Sequence, residues 1–174
     1  MNKKELQTIP ENHKQWPEGD SGGKYDLSNR DLRGCNLSNS NLSNSDLRGS
    51  NLSGCLGLLN PIDWMQENLE KVSEGYIAYK TFDMNYQHPK YWKIKAGSEI
   101  SEVVNPLPTL DCACGVNVAI KDWFIDRDTS PKWKVLIKWE WLPSVVVPYN
   151  TDGKFRCGRV QLLEEVTDVK EDVR

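Results

Sequence analysis

Residues 24–55 read KYDLSNRDLRGCNLSNSNLSNSDLRGSNLSGC, and Leu27, Leu32, Leu37, Leu42, Leu47 and Leu52 recur in them every five residues. Each Leu follows an Asp or Asn: Asp26, Asp31, Asn36, Asn41, Asp46 and Asn51. Neither a helix nor a strand has a period of five, whereas a solenoid does. A Ser/Asn-rich linker would share the composition but not the fixed Leu spacing.

If five residues make one side of a four-sided coil, the Leu and the residue two before it point inward. Those second positions are Tyr25, Arg30, Cys35, Ser40, Ser45, Ser50 and Cys55. Ser and Cys fit a narrow interior; Arg30 and Tyr25 do not, so the first turn is expected to be splayed or overlaid. The Asp or Asn side chain before each Leu can bond nearby backbone and hold a corner. Gly34, Gly49 and Gly54 relieve corners, while Ser28, Arg33, Ser38, Ser43, Arg48 and Ser53 face water.

The register resembles the pentapeptide-repeat family, whose members wind as a square, right-handed β-helix with Leu or Phe and a small residue inside. The resemblance implies a short solenoid of under two coils over 24–57. Solenoid ends need caps, so this one depends on the chain around it. Longer members are acidic rods that resemble duplex DNA and occupy topoisomerases. Coils stacked at ~4.8 Å make this one too short for that role. Its Asp26, Asp31 and Asp46 are also matched by Lys24, Arg30, Arg33 and Arg48.

The whole chain has 174 residues and a net charge of −3, enough for one compact unit or two small ones. That charge gives no nucleic-acid or membrane footprint. No apolar run is long enough to span a membrane, and no signal peptide is evident after Met1. Five Cys, two of them inside the coil, point to free thiols in a reducing cytoplasm.

Residues 1–23 form a leader in which Leu6, Ile9, His13 and Trp16 make a helical stripe interrupted by Pro10. "ENHKQW…GGKYDLS" resembles the leader of phage-encoded pentapeptide proteins. Over 58–75, Asn60 reads as an N-cap, Pro61 as the first helical residue and Gly75 as the stop. Ile62, Met65, Leu69 and Val72 lie at helical spacing, which predicts a helix capping the coil.

Residues 76–166 turn to strands: 76–82, 100–104, 116–120 and 133–141, the last with Trp133, Val135, Ile137, Trp139 and Trp141 alternating with Lys134, Lys138 and Glu140. Asp122 caps one turn of helix around Trp123. Val145 to Val147 and Phe155 to Val166 flank a hairpin signal at Asp152-Gly153. Residues 167–174 make a charged tail. The fold class is therefore α+β, a short right-handed β-helix with helical caps fused to a mainly antiparallel domain.

"EGYIAYKTF", "GSEISEVVNP…CACGVNVA" and "VVVPYNTDGKFRCGRVQLLEE" resemble an uncharacterised domain that follows pentapeptide repeats in phage and prophage proteins. The resemblance implies architecture and no activity.

The chain holds no G-x-S-x-G, no H-E-x-x-H, no phosphate-cradling Gly loop and only two His. Cys112 and Cys114 are metal candidates, with Cys157 and His88 as further ligands, because paired thiolates bind Zn²⁺ or Cu⁺. Structural thiols are the alternative. Tyr79, Lys80, Asn117, Lys154 and Arg156 could converge across a sheet and hold an anion such as a nucleotide phosphate. Independent surface charges are the alternative there. Trp141, before Pro143, could reach an interface.

These signs lead to a non-enzymatic, cofactor-free, phage-type protein that binds a host protein through its C-terminal domain, with host defence a candidate target and a homo-oligomer conceivable. A small-anion binder and a virion structural part are the rival expectations.

Overall fold

A computed structural model of the chain describes residues 26–38, 40, 42–82, 88–124 and 131–166. The leader expected over 1–23, with His13, lies outside those residues, as do Tyr25 and the tail expected over 167–174. The chain divides into two compact units. One takes Met1–Leu59 with Pro108–Asp111 and Pro148–Asn150, and the other takes the remainder.

In the first unit the chain returns beside itself every twenty residues, through parallel bridges Asp26↔Asp46, Asp31↔Asn51 and Asn36↔Leu56. Four pentapeptides thus make one circuit. Each side closes with a β-turn in which the residue three after Leu donates to its carbonyl, as Cys35 N does to Leu32 O at 3.1 Å and Cys55 N to Leu52 O at 3.1 Å. The third residue of such turns has positive φ, at Asn29, Gly34, Asn44, Gly49 and Gly54, which is why each of them is Asn or Gly. Asp26, Asp31, Asn36, Asp46 and Asn51 each accept the backbone N–H two residues on, the corner device the sequence implies. Leu27, Leu32, Leu37 and Leu42 are buried, while Arg30 is exposed and does not enter the interior.

The upper circuit runs out after three sides, and distant chain supplies the fourth. Asn44 N donates to Thr109 O at 2.6 Å, where a residue of the next circuit would otherwise stand. Ser43 Oγ meets Asp111 Oδ2 at 3.2 Å and accepts from Asn150 Nδ2 at 2.9 Å. Tyr149 N donates to Pro108 O at 3.0 Å and ties the two supplied segments together.

The second unit opens with α1 (Pro61–Asn68), whose N-cap Asn60 accepts from Ile62 N at 3.0 Å. The helix expected to reach Gly75 ends at Asn68. Glu70–Val72 is instead strand β1, paired antiparallel with β2 (Gly75–Thr81). Gly75 serves strand approach and not helix termination: a Cβ there would lie 1.9 Å from Ile137 O. Then follow β3 (Glu99–Ser101), β4 (Val116–Ala119), a 3-10 turn at Asp122–Phe124, β5 (Lys132–Lys138), a 3-10 segment at Trp139–Ser144, β6 (Lys154–Cys157) and β7 (Arg159–Val166).

Among the described residues these strands form one 7-stranded antiparallel sheet in the order β3-β7-β5-β2-β4-β6, with β1 beside β2. Gly158 alone separates β6 from β7, yet the two strands stand near opposite ends of that order. One residue spans only about 3.3–3.6 Å, so the sheet curls into a half-barrel. One face carries the buried residues Tyr76, Ala78, Val116, Val118, Val135, Ile137, Phe155, Cys157, Val160 and Leu162. The 155–166 run expected as a single flank is thereby split at Gly158.

Strand β5 is shorter than the alternation predicts. It stops at Lys138, and Trp139 and Trp141 leave the sheet on the 3-10 segment that contains Pro143. Trp139 finds better partners off the sheet: its backbone N donates to Glu74 O at 3.1 Å and its Nε1 to Ser73 O at 2.7 Å.

Candidate functional site

Strand register decides which candidate side chains meet. Tyr79 pairs with Ala119, Ala119 with Lys154, and Asn117 with Arg156. Directly paired residues share a face, so Tyr79, Asn117, Lys154 and Arg156 lie on one face and Lys80 on the other.

Each polar group there already faces a partner. Arg156 is fully buried, with Nε donating to Asn105 O at 2.9 Å and Nη2 to Leu107 O. It anchors the Pro-rich 105–108 loop to the sheet. Asn117 Nδ2 donates to Ala113 O and Gly115 O, both at 3.2 Å, holding the Cys112–Gly115 loop. Lys154 Nζ lies 2.8 Å from Cys112 Sγ. Tyr79 packs with Ile77, Ala119 and Leu136.

Lys80 is half-buried on the opposite face, its Nζ donating to Asn117 O at 3.1 Å. The ammonium lies 5.1 Å from the Phe82 ring centroid and 5.7 Å from that of Trp92. Burial lowers its pKa to about 8, because a low-dielectric surround disfavours the charged form. Burial pushes the Cys157 thiol up to about 12.

Cys112 and Cys114 are exposed free thiols. His88 stacks on Trp92, with centroids 6.4 Å apart. Among the described residues no three His, Cys, Asp or Glu side chains gather where they could hold a metal ion.

Trp141 has a charged surround. Lys138 Nζ lies 4.7 Å and Arg159 Cζ 5.7 Å from its ring centroid. Both cations also meet Glu99, at 2.8 Å and 3.7 Å. Beside it, Trp139 is 38 % exposed, packs edge-on against Tyr76 and carries Lys71 Nζ 5.6 Å from its ring. Sequence reasoning singled out Trp141 but missed Trp139, Lys71, Lys138, Arg159 and Glu99. No local pattern marks them, because their partners come together only through strand register and the 73–74 turn.

Residues 26–56 match the family model of pentapeptide repeats, in 8 copies. This stretch is a pentapeptide-repeat array. No curated protein and no solved structure matches the chain. Among the described residues no helix is long and apolar enough to cross a membrane.

Proposed function

We propose that the protein is a non-enzymatic binding module of phage or prophage type, which docks a protein of its bacterial host in the cytoplasm. The observation that carries this reading is that Trp139 and Trp141 leave the sheet and each meets cations, Trp139 with Lys71 and Trp141 with Lys138 and Arg159, which also pair with Glu99. Trp and Arg are over-represented among residues that dominate interface energetics, and a ring flanked by cations presents both apolar area and charge. The basic residues that suggested an anion site are directed at Asn105, Leu107, Asn117 and Cys112 within the chain, which favours the protein-binding reading over a small-anion one.

We also infer that the repeat winds as a right-handed quadrilateral β-helix. The twenty-residue bridge spacing supports the four-sided circuit, the resemblance of its Leu register supports the hand, and the coil serves as a rigid platform.

The test is affinity purification from a bacterial lysate with wild-type chain and with Trp139→Ala and Trp141→Ala variants whose circular dichroism is unchanged. The expected result is one co-purifying protein whose yield falls at least tenfold with either variant. Equal capture by both variants would sink this surface as the docking site.

A further inference from the structure

Inside the coil, Cys35 and Cys55 occupy the same place in successive circuits. Each N–H closes the same turn onto its own Leu, at 3.1 Å. The circuits are stitched at that rung: Leu56 N donates to Cys35 O at 2.9 Å and Leu37 N to Leu56 O at 2.8 Å. The Cys55 thiol donates to Leu32 O at 2.9 Å. Both residues are half-buried free thiols.

We propose that Cys35 and Cys55 form an oxidation site, a stacked dithiol that a low-molecular-weight disulfide converts into a cystine joining the two circuits. Neighbouring strands stand about 4.8 Å apart, within the Cα separation of about 4.4–6.8 Å that a disulfide spans. Parallel stacking sets the two Cβ atoms the same ~4.8 Å apart, so closing the bridge draws them together by a few tenths of an ångström, to the ~4.5 Å that a disulfide tolerates. One cysteine thiolate attacks the oxidant, forming a mixed disulfide and releasing one thiol. The second thiolate attacks the protein sulfur of that intermediate and releases the other. Two protein thiols and one disulfide become one cystine and two small thiols.

This site differs in chemistry from the other three thiols. Cys112 and Cys114 are exposed, and Cys157 is buried against Val116 O. Partial burial and the neighbouring Cys55 push the Cys35 thiol up. Exchange at this rung consequently starts slowly near neutrality and accelerates by about tenfold per pH unit, since the thiolate is the reacting form.

The experiment uses the full chain carrying Cys112→Ser and Cys114→Ser, treated in native buffer with oxidised glutathione, then with N-ethylmaleimide. Trypsin cleaves after Arg33 and Arg48, so Cys35 and Cys55 fall in separate peptides. The expected result is a linked peptide pair, loss of two titratable thiols and a rise in thermal midpoint that reductant reverses. A Cys55→Ala chain should instead hold glutathione on Cys35, which separates reach from geometry. The proposal is overturned if both thiols are recovered alkylated, if the link forms only in denaturant, or if Cys35 of the Cys55→Ala chain takes up no glutathione.

Discussion

At the scale of single residues, Lys80 and Gly57 carry the sharpest expectations. Lys80 has a folded pKa of about 8 against an ordinary 10.5. Below about 8 both states hold the proton and the folded state bears the cost of a buried ammonium. From there up to 10.5 the unfolded chain binds the extra proton, so stability rises with pH across that window. Lys80→Met should therefore be more stable than wild type at pH 7, by about 1–2 kcal/mol after the lost bond to Asn117 O. That gain should shrink towards pH 10.5 in urea titrations; a gain independent of pH would contradict it. Cys157 acts oppositely. Its thiol pKa rises from 9.0 to about 12, so stability it confers below 9.0 is lost as pH climbs towards 12, and Cys157→Ala should flatten that alkaline fall. Gly57 sits at φ +81, where a Cβ would lie 2.2 Å from Ser38 N. Gly57→Ala joins strain to a clash with backbone, and should cost about 2–3 kcal/mol in chemical denaturation.

Among elements, the coil was the most legible in the sequence and the 69–75 stretch the least. A five-residue period writes one rule repeatedly, so Leu27 to Leu52 and their Asp or Asn partners announce every side. The Asn60-Pro61 start of α1 was legible for the same local reason, since a cap is a property of neighbouring residues. Where α1 stops was not. Leu69 and Val72 fit a helix stripe, but the antiparallel pairing of β1 with β2 is a non-local gain that no window reveals. Trp139 was misplaced similarly: alternation continues past Lys138, while its partners Ser73 and Glu74 come from a turn far off in sequence. The candidate site was half legible. Residue types were found, but their partners Asn105, Leu107 and Cys112 depend on register. The cap at α1 can be measured: Asn60→Ala should cost about 1 kcal/mol, read as a shift in denaturation midpoint at unchanged slope.

Across the whole molecule, connectivity makes the two units depend on one chain path. The fourth side of the upper circuit comes from 108–111, tied to 148–150, and those segments lie between stretches that build the sheet. A fragment of residues 1–59 lacks that side and leaves Asn44 N without Thr109 O. Such a fragment is expected to stay unfolded by circular dichroism, whereas the full chain should unfold in one transition with Trp fluorescence and circular dichroism coincident. Two separated transitions would show that the coil keeps its shape without those segments.

The same strap sets a schedule for biosynthesis. The repeat leaves the ribosome ahead of its strap: Asn150, whose amide reaches Ser43, follows Leu56 by roughly ninety residues. At about 5–20 residues per second, the nascent coil waits on the order of 5–20 s with its open rung unsatisfied. During that interval the array is a client for chaperones, and slowing translation between codons 60 and 150 should raise its aggregation or proteolysis in the cell.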